Sequence, residues 1–140
     1  MRPLVHALVD ALLGPGTRAT DPEGAALVAD AFRRADRRGM YAAIRCLSLH
    51  RPDLTAVLDT IDTPTLLTTG NNDPMWTTTD ARAAAAHLPN GGLVILPAAG
   101  HIGPLLHAAP LAELVTAFWL DPNGTVVRRA GATTSGPAAT

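Results

Sequence analysis

At 140 residues the chain has room for one domain or for a piece of a larger one. With 47% hydrophobic and 16% charged residues it reads as core-forming rather than disordered, and a net charge of −1 offers no basic surface for non-specific nucleic-acid binding. The single cysteine, Cys46, excludes an intramolecular disulfide framework and a multi-cysteine zinc site, and no apolar run reaches the roughly 18 residues of a membrane span.

The first element is a helix carrying Leu4, Val5, Leu8, Val9, Leu12 and Leu13 at helical spacing, ended by Gly14-Pro15-Gly16. Its single Arg and apolar stretch resemble a secretion signal. His6 and Asp10 interrupt the stretch and no A-x-A cleavage site follows, so the expected location is the cytoplasm. Asp21-Pro22-Glu23 supplies an N-cap, a first-turn proline and a first-turn acid for a second helix. This helix runs through Leu27, Val28, Ala31 and Phe32 into Arg33, Arg34, Arg37 and Arg38. Those arginines suit a solvated helix end, with a nucleic-acid patch as the alternative. A third helix is expected from about Met40, after Gly39, to Leu49, stopped by Pro52. A short amphipathic helix then presents Leu54, Val57, Leu58 and Ile61.

The pattern changes at Pro64. The run to Thr69 is short, apolar and β-branched and stops at Gly70, as a strand would. A polar loop, Asn71 to Trp76, leads to a Thr77–Asp80 cap and an alanine-rich helix ending near Leu88–Gly91. Leu93-Val94-Ile95-Leu96 reads as a parallel strand covered on both faces. The loop from Pro97 to Pro104 contains Gly100-His101, and a last helix, Ala109 to Leu120, carries a buried stripe of Leu111, Leu114, Val115, Phe118 and Trp119. From Asp121 onward the composition is aperiodic, a loose tail.

Strand, helix, strand, helix is the βαβ arrangement of an α/β protein with a parallel sheet. In such sheets function gathers at the carboxyl ends of the strands. Asp73 follows the first strand and His101 the second, and neighbouring strands lie about 5 Å apart. A carboxylate there can accept the imidazole Nδ1–H, fix the tautomer and stabilise the imidazolium when the other nitrogen takes a proton. Taken singly, each residue has a plainer reading: Asp73 as an Asx-turn residue and His101 as an incidental loop histidine. Their placement at successive strand ends favours the pair.

The segments Pro64–Pro74 and Leu93–His101, followed by Ala109-Pro110, Leu114 and Phe118-Trp119, resemble the last two strand ends and final helix of the α/β-hydrolase family. The resemblance covers about residues 40 to 120, and residues 1 to 39 only loosely. It implies a partial α/β-hydrolase fold: a helical cap-like region over 1–52, the C-terminal βαβα part of a hydrolase core over 53–120, and a flexible tail over 121–140. The family order of nucleophile, acid, histidine makes Asp73 the acid and His101 the base. Hydrolysis of an ester or related bond is the implied activity, with no cofactor and no metal.

No G-x-S-x-G elbow and no upstream oxyanion-hole loop occur in the sequence. Of the two serines, Ser48 falls within a predicted helix and Ser135 in the tail. Without an attacking group or preorganised donors, acyl transfer loses its main sources of rate. This sequence alone is therefore expected to be inactive, and no nucleophile is assigned.

Other residues carry weaker signals. Cys46 and His50, four apart on one helix, form a thiol–imidazole pair or half a metal site on one reading, and a small core cysteine beside an unrelated histidine on the other. Met75 and Trp76 line an acyl pocket or pack against the cap. His107 stands where the resemblance suggests an acidic residue, and is expected to face solvent. Three functions follow: a hydrolase part completed by an N-terminal half that brings the nucleophile and a small-molecule substrate; a non-catalytic interaction module forming an oligomer; or a small enzyme whose pair activates water directly. Neither a nucleic-acid nor a membrane partner is expected.

Overall fold

The computed structural model describes residues 2–122. Most of the tail expected over 121–140 therefore lies outside the described residues. Helix α1 (Arg2–Leu13) is followed by the short helix α2 (Thr17–Thr20), which the sequence did not signal, and then by α3 (Pro22–Arg34). As the sequence implied, Asp21 caps α3, its side chain accepting from the Gly24 N–H at 2.9 Å. The face of α3 differs from the expected one. Ala25 and Ala29 are buried and Val28 and Phe32 half-buried, whereas Leu27 and Ala31 are exposed. The alanines let α3 lie close against Val5, Val9 and Leu13 of α1, forming the main apolar cluster.

Helix α4 (Arg37–Ile44) starts before Gly39, because Asp36 accepts from the N–H groups of both Arg38 and Gly39. It runs into a π-helical turn over Arg45–Leu49. The arginine cluster is thus split between the last turn of α3 and the first turn of α4, and Arg34 pairs with Asp30 at 2.6 Å on the surface. Helix α5 is a single turn, Thr55–Leu58. Of the apolar face expected here, Leu54 and Val57 are exposed while Leu58 and Ile61 are half-buried, and Tyr41, Ile44, Leu47 and Leu49 before it are exposed. Cys46 and His50 are exposed as well, which corrects the reading of Cys46 as a core residue.

Strands β1 (Thr65–Gly70) and β2 (Gly91–Leu96) pair in parallel, with Thr65 opposite Gly91 and Gly70 opposite Leu96. Between them runs α6 (Thr78–Ala86), which begins with a complete capping box: Thr77 and Asp80 each satisfy the other's backbone N–H. Ala81 of α6 is fully buried, and α6 contacts both strands. The apolar run of β2 is only half-covered at Leu93, Val94 and Ile95, against the expectation of burial on both faces. The α7 turn (Gly103–Leu106) and α8 (Ala108–Leu120) complete the described chain.

Leu111, Leu114, Val115 and Phe118 form a half-buried stripe on α8, but Trp119 is 75% exposed. At about 100° per residue, Trp119 sits about 80° from Leu111, beyond the arc shared by the other four. The expected fully buried stripe is thus narrower and shallower than the sequence suggested. The result is an α/β protein with two parallel strands, helices before them and helices beside them.

Candidate functional site

The two strands end side by side, so their following loops meet. The first loop is tied to the second by two backbone hydrogen bonds, from Asn71 N–H to Leu96 O (3.0 Å) and from Asn72 N–H to Ala99 O (2.9 Å). At Gly70 the approach to Ala99 is so close that any Cβ would collide with its carbonyl. Thr69, buried at the end of β1, donates its hydroxyl to the Trp76 carbonyl at 3.0 Å and folds the loop back over the strand. Asp73 lies inside that loop.

The Asp73 carboxylate is almost completely buried, its side chain 4% exposed, yet every part of it is partnered. Oδ1 accepts from the Met75 N–H at 2.8 Å and the Trp76 N–H at 3.0 Å. Oδ2 stands 2.8 Å from Nδ1 of His101. Burial pushes the Asp73 carboxyl up; the hydrogen bond from His101, those from the Trp76 and Met75 N–H groups, and the charge of His101 outweigh it and hold the group below the ordinary carboxylate range. Asp73 is therefore an anion at neutral pH and can only accept, so Nδ1 of His101 carries the hydrogen between them. The His101 side chain is 39% exposed, and among the described residues Nε2 has no hydrogen-bond partner. An imidazole oriented through Nδ1 with Nε2 open is arranged to take a proton there and return it.

The structure thus brings together the two residues that the sequence selected. It also includes contributions the sequence did not reveal. Thr69 and the N–H groups of Met75 and Trp76 act through hydrogen bonds that no residue pattern announces. Ala98, two residues before Gly100, adopts φ 57°, a left-handed conformation costly for a side-chain-bearing residue. The side chains of Met75 and Trp76 are exposed and half-buried respectively, and the definite role of this dipeptide in the site is its backbone. His107 is half-buried rather than solvent-facing, with its N–H bonded to the Gly103 carbonyl at 2.8 Å. Cys46 and His50 lie on the exposed π-helical turn and its C-cap, in the helical region preceding β1. Among the described residues no group of three or more His, Cys, Asp or Glu side chains is placed to hold a metal ion. No described helix is long and apolar enough to cross a membrane.

No protein-family model matches the sequence, and no curated protein matches it. Solved structures do. A thermophilic esterase from Thermogutta terrifontis, in a malate-bound form, superposes on 86% of this chain with a TM-score of 0.78 at 22% identity. Est816, described as an N-acyl homoserine lactone degrading enzyme, superposes on 80% with a TM-score of 0.67 at 20% identity. The fold is a partial α/β-hydrolase fold. The matches occupy only 44% and 45% of those two chains, so this chain spans less than half the length of either hydrolase. At these identities the likeness concerns architecture alone.

Proposed function

We propose that this chain is the acid- and base-bearing part of an α/β-hydrolase acting on esters or related acyl bonds. Asp73 is the orienting acid, His101 the general base, and the attacking group and oxyanion donors come from residues beyond this sequence. The observation that carries the reading is the buried, fully partnered Asp73 carboxylate 2.8 Å from His101 Nδ1. In the reaction, His101 Nε2 removes the proton of the attacking hydroxyl as its oxygen bonds to the acyl carbon. Nε2 then gives that proton to the leaving alkoxide as the ester bond breaks. Water repeats the cycle on the acyl-enzyme and releases the acid. Asp73 stays ionised throughout and stabilises the imidazolium.

The test is to join this chain to its nucleophile-bearing half, sought in the coding sequence upstream of Met1, and to measure turnover of a p-nitrophenyl ester and an acyl homoserine lactone. The 140-residue chain alone should give none. The completed protein should hydrolyse at least one of them, with kcat falling by about 10⁴-fold in Asp73→Asn and by a comparable or larger factor in His101→Ala. A completed enzyme that keeps its rate in His101→Ala sinks the assignment.

One observation supports a second reading. Apolar residues of α4, the π-helical turn and α5 are exposed, and exposed apolar side chains are what proteins use for contact with partners. On that reading the chain is an interaction module that retains the fold without the chemistry. Gel filtration with an activity assay separates the two: a discrete, monodisperse oligomer without esterase activity supports the module, while a monomer that gains activity once joined to the nucleophile-bearing half supports the hydrolase part.

A further inference from the structure

The apolar cluster of α1 and α3 does not end within the helices. Ile102, next to His101, and Leu105 and Leu106 shortly after it pack against the cluster, and Leu106 approaches Gly24 of α3. The contact is tightest at the last turn of α1. The Ile102 N–H donates to the Leu12 carbonyl at 3.0 Å. Gly100 lies so close to the Leu13 backbone that a Cβ there would collide with it. One residue further, Gly14 is buried with φ +92°, a conformation that a side chain rarely adopts, and its missing Cβ would stand 3.4 Å from the Cβ of Asn72. The end of α1 and the glycine that follows it therefore lie against the residue before Asp73 and both residues flanking His101.

We propose that Leu12–Gly14, the end of α1 and the glycine that stops it, is a positioning element for the Asp73–His101 pair, anchored in the core by Leu13. The imidazole is too exposed to be held by packing around its ring. Its hydrogen bond to Asp73 holds only while the backbone on either side, at Gly100 and Ile102, keeps the ring in reach, and the end of α1 contacts both. The same turn bears on Asn72, so the two loops are held in one relative position. Leu13, 1% exposed and packed with Val5, Val9, Ala25 and Ala29, fixes the height of the turn. A displacement of about 1 Å at such a pair matters, since catalytic geometry that far off costs on the order of 10²-fold in rate. The proposal builds on the catalytic reading of the pair, yet its test needs no turnover.

The experiment reads the ring nitrogens of His101 by ¹⁵N NMR in the full 140-residue chain, assigned by their loss in His101→Gln. In the unsubstituted chain the neutral ring should be protonated at Nδ1. Leu13→Ala should convert it to a mixture of the two tautomers and raise the titration midpoint of the Asp73 carboxyl, because its hydrogen bond from His101 is weakened. Leu13→Met should restore both signals. Val9→Ala is the control: Val9 is equally buried one turn earlier, so a role confined to general packing would move both variants together. Should Leu13→Ala fail to fold, Leu13→Val is read in its place, with a partial shift expected. Equal tautomer signals in the Leu13 and Val9 variants overturn the proposal, as does an unsubstituted chain lacking the Nδ1–H form. A positive result beside an inactive completed protein would keep the positioning role and dismiss the hydrolase.

Discussion

Two histidine–aspartate pairs stand at opposite ends of the same two strands. His101 and Asp73 follow the strands, and His87 and Asp59 precede them; each pair is separated by 28 residues, with Nδ1-to-carboxylate distances of 2.8 and 3.0 Å. By distance alone they are equivalent. Their surroundings are not. The Asp73 side chain is 4% exposed and takes two backbone N–H groups besides the imidazole, whereas Asp59 is 57% exposed and has His87, itself 41% exposed, as its side-chain partner. Water can replace every contact of the outer pair and almost none of the inner one. Burial together with a full set of donors separates a candidate acid–base pair from a surface clasp, and proximity does not.

The largest difference should come from deleting the carboxylates. Asp73→Ala leaves the Met75 and Trp76 N–H groups and the His101 ring without their acceptor, and should lower the free energy of unfolding by about 3 kcal/mol. Asp59→Ala should lower it by less than about 0.5 kcal/mol, because exposed pairs contribute little. Urea denaturation of both variants checks the comparison, and equal losses would erase the distinction.

Acid should act on the inner pair next. The folded Asp73 carboxyl titrates below its unfolded value, so its contribution to stability is complete above the ordinary carboxylate range near pH 4 and disappears as pH falls through the depressed folded value. Denaturation midpoints collected from pH 6 down to pH 2 should fall steeply in the native chain and less steeply in Asp73→Asn. A slope unchanged by that substitution would mean that the hydrogen bonds to Asp73 are not strong enough to depress it. The smallest effect is expected from salt. Raising ionic strength to about 0.5 M should leave the cost of His101→Ala unchanged, since salt screens exposed charges and the Asp73 carboxylate is buried.

Several elements were legible before any coordinates. Asp21-Pro22-Glu23 announced α3, and Thr77 with Asp80 announced α6, because caps act through hydrogen bonds within one turn of chain. Pro64–Gly70 and Leu93–Leu96 read as strands from β-branched and apolar runs, and the loops after them held Asp73 and His101. The faces of the helices were harder to read. Leu27 is apolar but exposed while Ala25 and Ala29 are buried, since close approach of α1 favours small residues over large ones. Asp36 reset the start of α4 three residues earlier than Gly39 suggested, an N-cap outcompeting a glycine break.

By itself, then, the sequence determined the local grammar of this protein: where turns begin, where strands stop, and which two loops carry a carboxylate and an imidazole. These depend on interactions among residues a few positions apart, which a linear pattern records. The tertiary structure alone decided that Asp73 is buried with three donors while Asp59 is not, and that the end of α1 reaches the loops flanking His101 some 90 residues away. Those facts follow from packing between distant segments, and no spacing along the chain encodes which surfaces will exclude water when they meet.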